Sequence, residues 1–272
     1  MQIDLSELTF LFHVRLDTDE RIKNVQTVVN FYRKHCINFK MVFIEDDKHE
    51  CLSKHITFTK NDTHKFFKND EIWNKCLSFN RGIALAETKY IAFHDLDAIL
   101  HPTQFVESIQ ELQKNPTYGL VYPYNGLFLC VSSEIKHTFS ETLNYADLAK
   151  YFPQTIRVNA YDGNVLVGST NSVGGCVVGN RENVIKAGGY NPNFIGWGYE
   201  DNEFPRRVNA LGFPVVRLTE HPLWHMPHDG PGSSPREKNP YYEHNRQIVT
   251  FVEHPDTTKE QLQEYIKGWQ VV

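Results

Sequence analysis

Runs of consecutive apolar residues alternate with stretches of helical periodicity along the first half of the chain. An apolar run at residues 8–16 precedes a segment over 19–35 in which apolar residues recur three and four positions apart. The first pattern is typical of a buried strand and the second of an amphipathic helix. Further strands are predicted over 39–47, 89–97 and 118–132, and further helices over 73–87 and 101–115. This order predicts an α/β fold in which helices flank a mostly parallel sheet.

The second half has a different character, which predicts a small helix and hairpin insertion. Residues 141–152 have the pattern of a short amphipathic helix, and residues 155–169 alternate around Asp162-Gly163, a dipeptide typical of hairpin turns. Another helix is predicted from about residue 202 to Gly212, with Pro205 in its first turn and Asp201 near the N-cap. The sequence contains no internal repeat or clear linker, so we expect residues 1–272 to form one domain.

Composition and charge narrow the class of protein. A formal net charge of −5 disfavours a nucleic-acid partner, because phosphate binding needs a basic face. The five cysteines are scattered and odd in number, which favours free thiols in a reducing compartment. The N-terminus lacks the pattern of a signal peptide, and no apolar segment approaches the roughly 20 residues that span a bilayer. We therefore expect a cytoplasmic protein, with peripheral association at the inner face of the membrane left open.

Acidic residues follow two of the predicted strands. Asp46 and Asp47 end the second strand, and Asp95 and Asp97 end the third. In parallel sheets, ligands bind outside the carboxyl ends of the strands. The Asp-x-Asp pair can hold a divalent cation that neutralises a diphosphate, although the same pattern also occurs in plain solvated turns.

A second cluster is formed by His225 and His228, with Pro227 between them. Imidazole nitrogens beside carboxylate oxygens favour manganese-like metals over magnesium. With 13 histidines in the chain, such a pair also arises by chance. The pair is a candidate for metal binding only in combination with the acids.

The third cluster is the stretch GWGYEDNE, in which Trp197 lies between Gly196 and Gly198. Glu200, Asp201 and Glu203 follow directly. A plain N-cap needs one of these acids rather than three. An ionised carboxylate beside an aromatic platform is suited to accept a proton from a sugar hydroxyl.

Taken together, these motifs resemble a known enzyme family. The stretch VGGCVVGNRENVIKAGGYNPNFIGWGYEDNEFPRRV is similar to the C-terminal half of the β-1,4-galactosyltransferases. The first half, with its acid-ended second strand, the segment FNRGIALAETKYIAF and then Asp-x-Asp, resembles family-2 glycosyltransferases of the GT-A fold. The resemblance extends from about residue 9 to 245 and is poorest over 131–170. It implies a Rossmann-like GT-A domain with a nucleotide-binding half (about 8–130) and an acceptor and metal half (about 131–250).

The resemblance also implies a role for each matching residue. Asp46 or Asp47 would bind uracil, and Asp95 would lie near the ribose. Asp97, His225 and His228 would bind Mn²⁺ or Mg²⁺, with the alternative that one of the two histidines contacts the diphosphate. Asp201 would be the catalytic base, and Glu200 would hold the acceptor. The remaining positions expected to bind the donor are Arg81, Ser172, Gly174, Gly175 and Trp197.

Two departures from the animal enzymes matter. A histidine, His225, stands where they have a methionine, which should strengthen binding of a borderline metal. Ser172 stands where they have an aromatic residue, which opens space beside C2 of the donor sugar. The stem, anchor and disulfide cysteines of Golgi enzymes have no counterpart, which favours a bacterial-type enzyme of surface polysaccharide synthesis.

The expected function is therefore metal-dependent, inverting transfer of a HexNAc or galactose unit from a UDP-sugar to a glycan or lipid-linked glycan. Two alternatives remain at this point. One is a retaining GT-A transferase, and the other is a non-catalytic module that binds sugar nucleotides or glycans.

Overall fold

The computed structural model describes residues 2–228 and 239–269. The strands in chain order are β1 (Ile3–Asp4), β2 (Leu8–Val14), β3 (Cys36–Ile37), β4 (Lys40–Asp47), β5 (Asp62–Lys68), β6 (Tyr90–His94), β7 (Ala98–Ile99), β8 (Leu120–Tyr122), β9 (Phe128–Val131), β10 (Val165–Ser169), β11 (Cys176–Asn180), β12 (Val215–Arg217) and β13 (Leu223–His225). The helices are α1 (Asp19–His35), α2 (Lys75–Leu85), α3 (Pro102–Lys114), α4 (Ser133–Thr142), α5 (Ala146–Ala149), α6 (Arg181–Lys186), α7 (Glu200–Ala210), α8 (Tyr242–Glu253) and α9 (Lys259–Tyr265).

A seven-stranded sheet with the order β12-β8-β11-β6-β2-β4-β5 lies at the centre of the fold. Its neighbouring strands are parallel except on both sides of β11, which runs antiparallel to β6 and β8. This arrangement confirms the predicted mostly parallel sheet. Within the part of the chain that the structure describes, no helix is both long enough and apolar enough to span a membrane.

Helices cover both faces of this sheet, as its apolar runs require. Strand β6 is buried along its whole length, and in β2 only His13 is partly exposed. On one face, Phe10 of β2 contacts Tyr32 of α1 and Phe105 of α3. On the other face, Phe93 of β6 contacts Phe79 of α2. Because side chains alternate along a strand, a sheet buried on both faces needs the near-continuous apolar sequence seen here.

A smaller four-stranded sheet, with the order β10-β9-β13-β7, adjoins the carboxyl end of β6. Asp95, Leu96 and Asp97 connect β6 of the large sheet to β7 of the small one. Strand β13 pairs antiparallel with β7 so that His225 lies opposite Ala98. The Asp-x-Asp turn therefore lies at the junction of the two sheets.

Two sequence predictions about local elements need correction. The strand predicted over 118–132 is two strands, β8 and β9, because the chain changes sheets through Pro123 and through Gly126, whose φ is +92°. The helix predicted over 141–152 is replaced by α4, which starts earlier and ends at Leu143 with a φ of +49°, and by the single turn α5.

The Asp162-Gly163 turn forms as predicted, since Asp162 accepts hydrogen bonds from the backbone of Asn164 and Val165. Only its second arm is a strand, β10, which pairs with β9. Further described elements lie outside the predicted set, namely the strands β1, β3, β5, β7, β12 and β13 and the helices α6, α8 and α9.

Candidate active site

A cleft of about 700 Å³ opens at the carboxyl ends of β2 and β6. Its lining residues come from the segments that follow β2 and β6 and from the second half of the chain. Of the predicted site residues, those that line the cleft are Asp95, Asp97, Ser172, Gly174, Gly175, Trp197, Glu200, Asp201, His225 and His228. Asp95 and His228, the first and last of this set in the sequence, thus meet in one cavity.

One end of the cleft contains a cluster of possible metal ligands. Met226 donates a backbone hydrogen bond of 2.7 Å to the carbonyl of Asp97, which fixes the β13 segment against the Asp-x-Asp turn. Nε2 of His228 lies 2.9 Å and Nε2 of His225 lies 3.6 Å from Oδ2 of Asp97. One donor atom from each of the three residues lies within 4.8 Å of the other two. This spacing allows a single cation to contact all three side chains.

The chemistry of this cluster fits a divalent cation. Nδ1 of His228 is buried and has no hydrogen-bond partner among the described residues. Burial opposes ionisation of Asp97, but His225 and His228 together outweigh it and hold the pKa of Asp97 well below its usual range. Burial would lower the pKa of His225, but Asp97 raises this pKa to about 10. One carboxylate oxygen and two imidazole nitrogens form a donor set that suits borderline metals such as Mn²⁺.

The middle of the cleft is organised around a lysine that sequence reasoning missed. Nζ of Lys75 lies 3.1 and 3.2 Å from the two carboxylate oxygens of Asp201 and 3.3 Å from Oδ1 of Asp95. His13 contacts the same oxygen of Asp95 at 3.3 Å. Burial opposes ionisation of Asp95, but Lys75 and then His13 lower its pKa to about 2. Asp95 is therefore a stable anion across the neutral range.

The pKa of Asp201 is shifted in the opposite direction to that of Asp95. Burial raises its pKa, Lys75 counteracts this, and the nearby Glu200 and Asp95 raise it further, to about 7. The backbone of Gly174 passes so close that a Cβ at this position would lie 2.9 Å from Oδ2 of Asp201. The Asp201 carboxylate is thus confined between Lys75 and Gly174, with a pKa in the range that suits a general base.

Helix α7 starts two residues earlier than predicted, so Asp201 is its second residue instead of its cap. Tyr199 is the N-cap with a φ of +69°, and Oε2 of Glu200 accepts a 2.8 Å hydrogen bond from Gly198 N–H. Pro205 consequently lies inside the helix rather than in its first turn. Since proline has no N–H, it cannot donate to the carbonyl four residues earlier, which belongs to Asp201.

Glu203, the third acid of the motif, lies outside the cleft. It is completely buried and pairs with Arg207, one helical turn later, through bonds of 2.5 and 3.0 Å. Arg207 also donates to the carbonyls of Ala187 and Gly189. Such a fully hydrogen-bonded buried pair explains why the third acid is present, and its role is structural.

The Trp197 loop closes the other side of the cleft. The indole is 43% exposed and stacks against Tyr242 of α8 with a centroid distance of 6.2 Å. Asn245 of the same helix bonds both backbone groups of Ile195. Gly196 has a φ of +64° and donates to the carbonyl of Trp73. An exposed aromatic ring is therefore held beside the carboxylates by contacts to α8 and to the segment before α2.

Three predicted donor-binding residues, Asp46, Asp47 and Arg81, do not line the cleft. Asp46 accepts a hydrogen bond from Asn69 and lies 3.9 Å from Arg81, whose guanidinium covers the ring of Phe67. Asp47 accepts from the backbone N–H groups of Leu16 and Lys48. Asp46 and Asp47 end β4, two strands from β6, and so lie on the far side of β2 from the Asp-x-Asp turn, whereas Arg81 belongs to α2.

Several cleft residues were not predicted, although two of them carried a sequence signal. Lys75 is the first residue of α2, where a cation is unfavourable beside the helix dipole, so a lysine there already indicated an outside partner. Arg15 follows β2 directly, at the same strand ends as the predicted acids. His13 and Trp73, whose rings stack at 5.1 Å, gave no signal of this kind.

The Asp-x-Asp turn lies at the carboxyl end of a central strand in a mostly parallel sheet, and it faces a carboxylate and an aromatic loop. This combination is typical of the GT-A class of glycosyltransferases. The model of the family described as "Glycosyltransferase like family 2" matches residues 14–226. The chain belongs to this family and is a glycosyltransferase. No curated protein sequence matches the chain.

Solved structures with the same fold support this assignment of fold class. A beta-1,4-galactosyltransferase 7 mutant of Drosophila, in complex with manganese, UDP-Gal and xylobiose, is 14% identical with a TM-score of 0.50. The match covers 95% of this chain and 83% of that one. A mannosyltransferase of Pyrobaculum calidifontis, in complex with GDP-Man and Mn²⁺, is 13% identical with a TM-score of 0.50, over 96% of this chain and 69% of that one.

Proposed function

We propose that the protein transfers a sugar from a UDP-sugar to a hydroxyl group of a glycan, with inversion at the anomeric carbon and with a divalent metal. The observation that carries this proposal is the convergence of two groups in one cleft. The cluster of Asp97, His225 and His228 is suited to a cation, and Asp201 is suited to a base. A transferase needs both, because a diphosphate must leave as a hydroxyl attacks.

The metal end of the cleft would receive the diphosphate. Asp97, His225 and His228 would hold Mn²⁺ or Mg²⁺, which neutralises the negative charge that develops on the departing UDP. The Drosophila and Pyrobaculum neighbours are both complexes of manganese with a nucleotide sugar, which supports this role. We assign Asp95, an anion near this cluster, to accept a hydrogen bond from the ribose.

The middle of the cleft, with the Trp197 loop beside it, would receive the acceptor. Asp201 takes the proton of the acceptor hydroxyl as the oxygen forms its bond to the anomeric carbon and the bond from that carbon to UDP breaks. A pKa of about 7 leaves a substantial fraction of Asp201 ionised near neutral pH and able to accept the proton. Oε1 of Glu200, 3.9 Å from Lys75, is the atom we assign to the acceptor, and Trp197 provides an aromatic platform for a sugar ring.

The nucleoside would extend from the cleft toward β4. A neighbouring hollow of about 470 Å³ shares His13, Arg15, Trp73 and Trp197 with the cleft. We assign the uracil to this side, with Asp46 or Asp47 at the end of β4 as the acid that binds it and Arg81 beside Asp46. On this assignment, residues 1–272 are one GT-A domain, in which the half at about 8–130 binds the nucleotide and the half at about 131–250 binds the acceptor and completes the metal site.

Nucleotide release from a panel of UDP- and GDP-sugars, with Mn²⁺ or with a chelator, tests the proposal. We expect metal-dependent release of UDP from a UDP-sugar, faster with a glycan acceptor, and a product whose anomeric configuration by NMR is opposite to that of the donor. Absence of release from every donor would refute sugar transfer. A product of unchanged configuration would instead establish the retaining alternative. The acceptor, including a lipid-linked glycan, and the role in bacterial surface polysaccharide synthesis at the cytoplasmic face remain predictions from the sequence.

A further inference from the structure

Lys75 occupies a position that its local structure makes unfavourable. It is the first residue of α2, where the positive end of the helix dipole repels a cation. It is also only 5% exposed, so its ammonium group has lost most of its hydration. The helix dipole and the lost hydration both make the charged form of Lys75 unfavourable at this position. The carboxylates that surround the ammonium group must offset both costs.

Those anions come from the Asp-x-Asp turn and from the start of α7. The ammonium contacts both oxygens of Asp201 at 3.1 and 3.2 Å and one oxygen of Asp95 at 3.3 Å, with Glu200 at 3.9 Å. Burial alone would lower the pKa of Lys75, but these carboxylates raise it well above its ordinary value. Lys75 is therefore charged at every pH at which the enzyme would work.

We propose that Lys75 is a positioning residue for the base, and that its ammonium group keeps the Asp201 carboxylate negative and directs it toward the acceptor hydroxyl. This inference rests on the proposed function, in which Asp201 is the base. Two hydrogen bonds to the two oxygens fix the plane of the carboxylate from one side, and the backbone of Gly174 limits it from another.

The charges around Asp201 support this role. Within the described part of the chain, the titratable side chains that interact with it are Lys75, Cys76, Asp95, Tyr122, Tyr124, Tyr190 and Glu200. Burial raises the pKa of the thiol and of all three phenols above their ordinary values, so these four groups are neutral near pH 7. Among these groups, Lys75 is the one that favours the ionised form, against two carboxylates and burial.

Loss of the Lys75 charge should therefore raise the pKa of Asp201 further. The base must be ionised to accept a proton, so the acid side of the pH–rate profile would move to higher pH. Each unit of this movement lowers the rate about tenfold at a pH well below the original pKa, and by less at pH values near it. At sufficiently high pH the base is ionised again, and much of the rate should return.

The test compares Lys75→Met, which keeps length and removes charge, with Lys75→Arg, which keeps the charge. For Lys75→Met we expect the acid limb of kcat one to two units higher, kcat at pH 7 lower by roughly 5- to 50-fold, and recovery above pH 9. Lys75→Arg should restore a limb close to that of the wild type. Calorimetry with UDP and Mn²⁺ should give affinities within about threefold of the wild type, because Asp95 keeps its contact with His13.

Lys186→Met is the matched control, since Lys186 forms an exposed ion pair with Glu182 on α6, away from the cleft. If Lys75→Met does not fold, Lys75→Gln removes the same charge while keeping a hydrogen-bond donor. An unmoved acid limb, a loss of kcat that is equal at all pH values, or a parallel loss of UDP–Mn²⁺ affinity would overturn the inference. A wild-type enzyme without sugar transfer would instead refute the proposed function, before any variant is compared.

Discussion

Gly174→Ala is expected to impair catalysis without removing any functional group. A Cβ at this position would lie 2.9 Å from Oδ2 of Asp201, with the next atom, the carboxyl carbon, at 3.8 Å. The obstacle is thus the end of a side chain and not backbone. The protein should fold, and the Asp201 carboxylate should move.

The size of the effect follows from this distance. Ordinary contacts of a methyl carbon begin near 3.4–3.5 Å, so the carboxylate must shift by at least about 0.5 Å. Its bonds to Lys75, now 3.1 and 3.2 Å long, would be strained or broken by that shift. A displacement of 1 Å at a reacting centre can cost about 100-fold, so we expect kcat to fall roughly 10- to 100-fold. This corresponds to about 1.4–2.7 kcal/mol of lost transition-state stabilisation.

The assay is steady-state release of UDP, with binding of UDP and Mn²⁺ measured separately and thermal melting as the check on folding. Gly82→Ala is the control, because its Cβ would meet Leu11 at 3.4–3.6 Å in ordinary contact, inside α2, where alanine favours the helix. We expect the control to retain activity and the metal site of Gly174→Ala to bind normally. Full activity in a folded Gly174→Ala protein would show that the position of the Asp201 carboxylate between Lys75 and Gly174 does not matter for the reaction.

Three further outcomes are expected. Asp97→Ala should lower UDP–Mn²⁺ affinity by at least about 100-fold in calorimetry, because loss of even an outer partner of a metal site costs 10- to 100-fold, and an unchanged affinity would place the metal elsewhere. Asp201→Asn should keep that affinity and lose roughly two to four orders of magnitude in kcat, so activity within a few-fold of the wild type would mean that another residue is the base. Ser172→Tyr should lower activity on a UDP-N-acetylhexosamine more than on UDP-Gal, since the Ser172 carbonyl is held by Tyr124 and Arg217 and the new ring must occupy the cleft. Overpacking costs about 1–3 kcal/mol, and equal losses on both donors would contradict this role.

The sequence predicted the sheet because its strands are buried on both faces. Strands such as β2 and β6 need apolar residues at nearly every position, and this requirement leaves a clear pattern in the chain. Helix α1 was predicted with its observed bounds, since Thr18 caps it and its acidic and basic residues lie at opposite ends. Strand β5 was missed because it lies at the edge of the sheet and its residues are only partly buried, so no apolar run marks it.

The insertion was predicted less well because its elements depend on distant partners. Helix α4 has a modest apolar face, and its buried Lys136 pairs with Glu20 and donates to the carbonyl of Pro227. From the sequence alone, a lysine in this helix is expected to be exposed to solvent. The predicted helix began at residue 141, in the last turn of α4, and continued through Leu143, whose left-handed conformation follows the end of α4. Leucine does not signal this conformation.

Three acids in four residues, Glu200, Asp201 and Glu203, illustrate which part of a site the sequence can specify. Glu200 bonds Gly198 two residues away, and Glu203 bonds Arg207 four residues away, so local structure already determines much of what they do. The main partner of Asp201 is Lys75, 126 residues away.

The sequence therefore identified the cluster of acids but could not distinguish their roles. Asp201 is confined between two distant segments in the cleft, and its pKa of about 7 results from burial, one cation and two other carboxylates. The same residue type at Asp95, with Lys75 and His13 beside it, has a pKa of about 2. Both aspartates contact the same ammonium group, and burial opposes the charge of both. At Asp201 burial and the two nearby carboxylates outweigh Lys75, whereas at Asp95 Lys75 and His13 together outweigh burial. Glu200 adjoins Asp201 in the chain, but Lys75 and His13 come close to these aspartates only when the chain is folded.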